Sequence, residues 1–226
     1  MQNRDHKVLR ITRTRDQARA GYDQMSRFYD YVAGIFEKKY RNAALKAFKL
    51  KEGEPVLEIG FGTGKCIEQI ARMVGNSGKV YGIDISAGML KVTSKRVKKA
   101  GLESRVDLYR GDAAAMPYGD NKFDAVFMSF TLELFDTPEI PLILGEIKRI
   151  LIPSGRLGVV SLSKDYGETI SLKIYEWFHK RLPAYFDCRP IFVEQSLKGA
   201  GFSLEYQKCM KMFGIPVKIV TGVLAP

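Results

Sequence analysis

A short apolar run, Pro55-Val-Leu-Glu-Ile, opens straight into Gly60-Phe-Gly62-Thr-Gly64-Lys. A buried strand that ends in clustered glycines must turn sharply, and glycine lets a ligand lie against the backbone without meeting a Cβ. The spacing excludes two common uses of such a loop. A dinucleotide fingerprint needs G-x-G-x-x-G, whereas the third glycine here comes one position early and Lys65 follows it. A phosphate loop needs Lys and then Ser or Thr after the last glycine, and Cys66 stands there. Taken alone, the turn leaves open a strand-to-helix connection without a ligand.

Its neighbours decide otherwise. Lys79 to Asp84 reads as a second strand, Arg105 to Arg110 as a third and Phe123 to Ser129 as a fourth. Asp84 ends the second strand, where a carboxylate can accept both hydroxyls of a ribose. Asp112 follows the third strand in Gly-Asp-Ala, where an acid can receive an adenine amino group. Either acid alone would usually be a turn or cap residue. Three adjacent strand ends with ligand-type residues are harder to dismiss, because ligands in open α/β sheets bind at these carboxyl ends.

The elements between and beyond alternate. Tyr22 to Phe48 is aromatic and helix-compatible. Ser86 can cap a helix running to Gly101. A helix starts between Thr137 and Pro141 and runs to Leu151, and Pro153-Ser-Gly turns into a fifth strand, Arg156 to Leu162. Helices over Gly167–Leu182 and Ile191–Ala200 precede two closing strands, Phe202–Met210 and Gly214–Val223. The expected fold is α/β: one Rossmann-like, doubly wound, mainly parallel seven-stranded sheet with its last strand antiparallel. Helices cover both faces and an N-terminal helical cap lies on top. The expected organisation is a basic arm over 1–20, then a single domain over 21–226. That domain includes the helical cap at 21–50 and a substrate-cap insertion at 164–190.

At 226 residues with 46% hydrophobic content, the chain is long enough to bury one core without staples. No apolar run is long enough to span a bilayer and the N-terminus is polar, so a cytoplasmic protein is expected. Three scattered cysteines and two histidines argue against a disulfide framework and a metal site. The net charge is +11, and residues 1–20 supply four of those charges. A solvated arm is the plain reading of them; an anionic partner is the functional one.

The motifs in order are E-x-G-x-G-x-G, Gly-Ile-Asp-Ile-Ser, Gly-Asp-Ala, Phe-Asp-Ala-Val-Phe and Glu-Ile-Lys-Arg-Ile-Leu-Ile-Pro-Ser-Gly-Arg-Leu. Over residues 50–163 the chain resembles the class I S-adenosylmethionine (SAM)-dependent methyltransferases. Within them it resembles the ubiquinone/menaquinone-biosynthesis C-methyltransferases, whose paired aromatic-Asp pattern is echoed by Tyr22-Asp23 and Tyr29-Asp30. It departs from them at Ile152-Pro-Ser-Gly, where they have Lys-Pro-Gly-Gly, and in lacking their tryptophan-arginine pair near Tyr40-Arg41.

The resemblance implies that SAM is the cofactor and S-adenosylhomocysteine the product. It puts Gly60, Gly62 and Gly64 under the methionine part, with Glu58 orienting the loop or meeting the ammonium group. Asp84 would take the ribose hydroxyls, Ile85 and Met89 would flank the adenine, and Asp112 and Ala113 would read its edge. Ser129 would face the reacting methyl and Tyr29 would close the site. Glu133, just past the fourth strand, is the candidate general base, ahead of Tyr166, His179 and Asp187; its plain reading is an exposed loop acid. His179, among basic residues, reads as a surface residue.

The expected acceptor is a small, hydrophobic or amphiphilic molecule of quinol or lipid type. It would be reached through peripheral contact with an anionic membrane. The alternative is N-methylation of a lipid headgroup or polar amine. Nucleic acid is a minor reading, because neither an Asn/Asp-Pro-Pro-aromatic run nor a Pro-Cys nucleophile is present. An NAD-dependent oxidoreductase and a non-catalytic SAM-binding module are further alternatives. In the cap, Ile170, Ile174, Trp177, Phe178 and Leu182 share a helical face that is expected, for at least half of them, to pack inward.

Overall fold

The computed structural model describes residues 8–11, 21, 29–165, 167, 169–181 and 188–224. Helix α1 (Tyr29–Phe48) leads into β1 (Val56–Ile59), followed by α2 (Lys65–Met73), β2 (Val80–Asp84), α3 (Ala87–Lys99) and β3 (Val106–Arg110). Strand β4 (Phe123–Ser129) passes through a short 3-10 turn (Leu132–Leu134) to α4 (Ile140–Ile150) and β5 (Leu151–Leu162). Helices α5 (Ile170–Arg181) and α6 (Val193–Gly199) and the hairpin β6 (Phe202–Met212) and β7 (Ile215–Leu224) complete the order.

The strands form one seven-stranded sheet in the order β3-β2-β1-β4-β5-β7-β6. Its inner pairs are parallel, and β7 runs antiparallel to both β5 and β6, as expected. The order reverses beside β1, so the crevice between β1 and β4 is the point where such sheets hold ligands.

Side chains alternate between the two faces of the central strands and are buried on both, which feeds two cores. Val56, Ala125 and Phe127 face a layer that includes Phe48, Ile67 and Ile70, whereas Leu57, Val126 and Met128 face one with Ile143, Ile147 and Leu197. Ser86 caps α3 through its Oγ, which accepts the Met89 N–H at 3.0 Å. Helix α2 went unread in the sequence; its buried residues Cys66, Ile67, Ile70 and Ala71 recur at helical spacing just behind the glycine loop. Strand β5 begins five residues earlier than expected. The Pro153-Ser-Gly segment lies within it as an irregularity between the Phe123↔Leu151 and Ala125↔Arg156 pairs, with Ser154 at φ 64°.

Arg156 ties three segments together. It forms a two-pronged ion pair with Glu54, at 3.0 and 2.5 Å, and donates to the carbonyls of Phe48 and Lys49. Burial alone would raise the Glu54 carboxyl, but the bonds from Arg156 and the Lys51 N–H outweigh it and hold it below the ordinary carboxylate range. Arg156→Ala is expected to destabilise the fold by about 2–3 kcal/mol, since it strands a largely buried acid and two carbonyls. Urea denaturation would measure the loss.

Two expectations about the periphery change. Part of the arm is docked rather than solvated: Val8 is buried in the second core, and Arg189 donates to the Leu9 carbonyl at 3.0 Å. His179 is buried on the inner face of α5 rather than on the surface. No helix among the described residues is long and apolar enough to cross a membrane.

Candidate active site

The carboxyl ends of β1 to β4 surround a cavity of about 510 Å³. Its floor is the glycine loop, and the loop is pinned from below. Thr93 Oγ1 donates to the Gly62 carbonyl and Arg96 Nε to the Thr63 carbonyl, both at 2.7 Å. Asp84 fixes the loop from the side: Oδ2 accepts the Gly62 N–H and Oδ1 the Ser86 N–H, both at 2.9 Å. A carboxylate offers about four acceptor positions. Those two bonds therefore set its plane while it still faces the cavity. Asp112 is oriented in a similar way by the Ala114 N–H at 2.9 Å.

One wall carries a buried polar cluster. Glu58, Cys66 and Arg41 all line the cavity and are all buried. Burial pushes the Glu58 carboxyl well above its ordinary range, only partly countered by Cys66 and the Arg41 guanidinium. Burial likewise pushes the Cys66 thiol up. Glu58 Oε2 and Arg41 Nε have no hydrogen-bond partner, an arrangement that is costly unless a ligand completes it.

The N-terminal strap closes another side. Arg10 makes a two-pronged bond to Asp136 (2.9 and 2.6 Å) and the Ile11 N–H donates to the same carboxylate at 3.1 Å. Arg189, fully buried, holds the strap by donating to Leu9, to Thr137 Oγ1 and to the Phe135 carbonyl. Phe130 leaves β4 at φ +52°, a conformation a bulky residue seldom adopts, and forms an edge contact with Tyr40.

Six acidic side chains line the cavity against three basic ones, with Asp136 paired to Arg10 and Glu58 pushed toward its neutral form, in a protein whose net charge is +11. Such a site suits a ligand that carries positive charge. The loop leaves room for it, since a Cβ added at Gly62 would meet nothing within 4 Å. SAM, with its sulfonium and ammonium groups, fits this donor set and this cradle.

Comparison with known proteins settles the family. Residues 56–155 match the family model described as a methyltransferase domain. The ubiquinone/menaquinone biosynthesis C-methyltransferase of Cellvibrio japonicus is 32% identical over 178 residues, spanning 79% of this chain and 69% of that protein. The chain belongs to that methyltransferase family. A SAM-dependent methyltransferase from Aquifex aeolicus is 26% identical, with a TM-score of 0.61 over 82% of this chain and 89% of that one. The [4+2]-cyclase SpnF, at 20% identity, has a TM-score of 0.75 over 95% of this chain and 97% of its own. That likeness shows the fold alone. SAM is the cofactor of this methyltransferase.

The structure brings Glu58, Gly60, Gly62, Asp84, Ile85, Met89, Asp112, Ala113 and Ser129 to the cavity wall of the methyltransferase. Gly64 is not in that wall; a Cβ on it would strike Thr93 at 2.6 Å, so it serves the packing of the loop on α3. The side chains of Tyr29, Tyr166 and Asp187 lie outside the described residues. Sequence reasoning missed Arg10, Glu37, Arg41 and Asp136. Arg41 stands beside the site of the missing tryptophan-arginine pair, and that departure was the one signal that could have led to it.

Glu133 is neither an exposed loop acid nor part of the cavity wall. Its carboxyl is fully buried behind the wall, where Oε1 accepts the Leu162 N–H at 3.1 Å and Oε2 has no partner. Burial pushes it up to about 8, against the bonds it accepts. The folded state therefore holds a proton that the unfolded state releases near 4.5. The stability this contributes is fully present below the unfolded value and is lost as pH rises through about 8. Glu133→Gln, neutral at every pH, is expected to match the parent in thermal melts at about pH 4 and to exceed it at about pH 9. Retained turnover would mark Glu133 as structural. Lost turnover with unchanged melts and SAM affinity would make it the base.

Proposed function

We propose that this methyltransferase transfers the SAM methyl group to a small lipid-like acceptor of the quinol class, met at an anionic membrane surface. The observation that carries the acceptor class is the apolar share of the cavity lining after Ser129: Phe130, Leu134, Phe135 and Pro138, with Ile11 of the strap, line it beside the paired Arg10 and Asp136 and Glu139. The role of the Cellvibrio relative in ubiquinone/menaquinone biosynthesis points the same way.

In this reading Asp84 holds the ribose hydroxyls, Asp112 and Ala113 the adenine edge, and Ile85 and Met89 the adenine faces. Gly60 and Gly62 lie under the methionine part, Gly64 sets the turn, and Glu58 takes the ammonium group with Arg41 near the carboxylate. SAM supplies an already activated methyl group, so the residues of the chain mainly hold the acceptor in line and keep water out. Such positioning is worth on the order of 7–11 kcal/mol. Ser129, at the end of β4, borders the reacting centre.

The test is methyl transfer from labelled SAM to a prenylated naphthoquinol, compared with phosphatidylethanolamine, soluble amines and RNA. Label in the quinol alone supports the reading. Label confined to amines would replace it with N-methylation, and label confined to RNA with a nucleic-acid substrate.

A further inference from the structure

Helix α5 carries apolar residues on both an inner and an outer face. Its inner face buries Leu172 and His179, whereas Ile170, Ile174 and Trp177, recurring at helical spacing, are 79%, 53% and 54% exposed. The expectation that at least half of this stripe packs inward fails at these three residues, and Leu182 lies outside the described residues.

The stripe continues onto two other elements. The β6–β7 hairpin turns on Phe213 and Gly214, at φ 51° and 82°, between the paired residues Met212 and Ile215. Two left-handed residues mark a turn whose first position normally takes Asn, Asp or Gly. Here it takes phenylalanine, whose ring is 73% exposed. A bulky residue held in that conformation is strain that calls for a purpose. A Cβ added at Gly214 would strike Ser171 Oγ at 2.5 Å, so the hairpin tip is pressed against the start of α5. On its other side the Phe213 ring meets Phe36 of α1, 5.0 Å between centroids, and Phe36 is itself half exposed. The next residue, Glu37, lines the cavity.

The rim is basic. Lys38 and Lys39 flank Phe36 and Lys211 precedes the hairpin tip; all three are exposed, as are Lys173 and Arg181 on α5, and the Arg181 guanidinium lies 5.5 Å over the Trp177 ring. Among the described residues, Glu176 pairs with Lys164 at 2.6 Å and Glu37 lines the cavity. An aliphatic and aromatic centre inside a cationic rim matches the acyl boundary and anionic headgroups of a bilayer.

We infer that Phe36, Ile170, Ile174, Trp177 and Phe213 form the face by which the enzyme seats on an anionic membrane, beside the α1 wall of its cavity. This rests on the proposed membrane reading but not on the identity of the acceptor. Trp177 is the only tryptophan in the chain, so it reports on this face directly.

The experiment adds the full chain to vesicles of phosphatidylcholine, with or without phosphatidylglycerol, and follows sedimentation and tryptophan emission. Expected are co-sedimentation with the anionic vesicles, a blue shift, quenching by acyl-brominated lipid, and weakening as salt rises. Phe213→Asn, which suits the turn and keeps the fold, should weaken vesicle binding roughly tenfold. Sedimentation with unmoved emission and an unaffected Phe213→Asn variant would overturn this face but leave the membrane reading standing. No sedimentation would overturn both. A blue shift on self-association without lipid would show the face to be a contact between copies of the chain.

Discussion

Gly62→Val abolishes SAM binding while the protein still folds: that is the expected result, and the contrast with its two neighbours makes it informative. At Gly62 the added side chain points into open space, the space the cofactor needs. The residue sits at φ +49°, so a branched side chain costs about 1–2 kcal/mol of backbone strain and the melting temperature should fall by a few degrees. At Gly60 and Gly64 the added carbon instead collides with Thr131 and Thr93, each fixed in a packed environment. Gly64→Val, outside the cavity wall, should therefore lose stability first and binding only as a consequence, and Gly60→Val, within the wall, should lose both. Isothermal titration with S-adenosylhomocysteine, beside thermal melts of all three variants, separates the cases. Binding by folded Gly62→Val at parental strength would remove the cofactor from the glycine loop.

The glycine loop and both acids were legible in the sequence because each is local. A strand end, a tight turn and an acid at the next strand end fall in short windows, and the parallel order places them side by side without further information. The mainly parallel sheet with its last strand antiparallel followed from the alternation of strands and helices, whereas the strand order came only with the structure. What stayed hidden depends on contacts between distant segments. Arg10 and Asp136 are 126 positions apart, and a basic arm in solution has the same composition as one latched over a cavity. Arg189 looks like any loop arginine until the carbonyls of Leu9 and Phe135 converge on it. Glu133 was found by its position just past β4, but whether a carboxylate there faces the cavity or the core turns on one 3-10 turn that no pattern encodes. Helix α5 shows the converse. Its apolar period was correctly read, and the period says which residues share a face without saying whether that face meets protein or solvent.

Asp84→Ala should weaken SAM and S-adenosylhomocysteine by about 2–3 kcal/mol, or roughly 30- to 150-fold, through loss of charge-assisted hydrogen bonds. The structure adds a complication, because the same carboxylate accepts the N–H groups of Gly62 and Ser86. Alanine would loosen the loop as well as remove the ribose contact, so the affinity loss alone does not assign the contact. A cofactor analogue without ribose hydroxyls resolves it. If Asp84 grips the ribose, the parent should discriminate strongly between S-adenosylhomocysteine and its dideoxy analogue, whereas Asp84→Ala should bind the two almost alike. Asp84→Asn, which can still accept one of the backbone bonds, should keep the loop and lose the charge. Its affinity should fall between those of the parent and the alanine variant. Equal discrimination by the parent and Asp84→Ala would leave Asp84 as a brace for the loop and move the ribose contact elsewhere in the cavity wall.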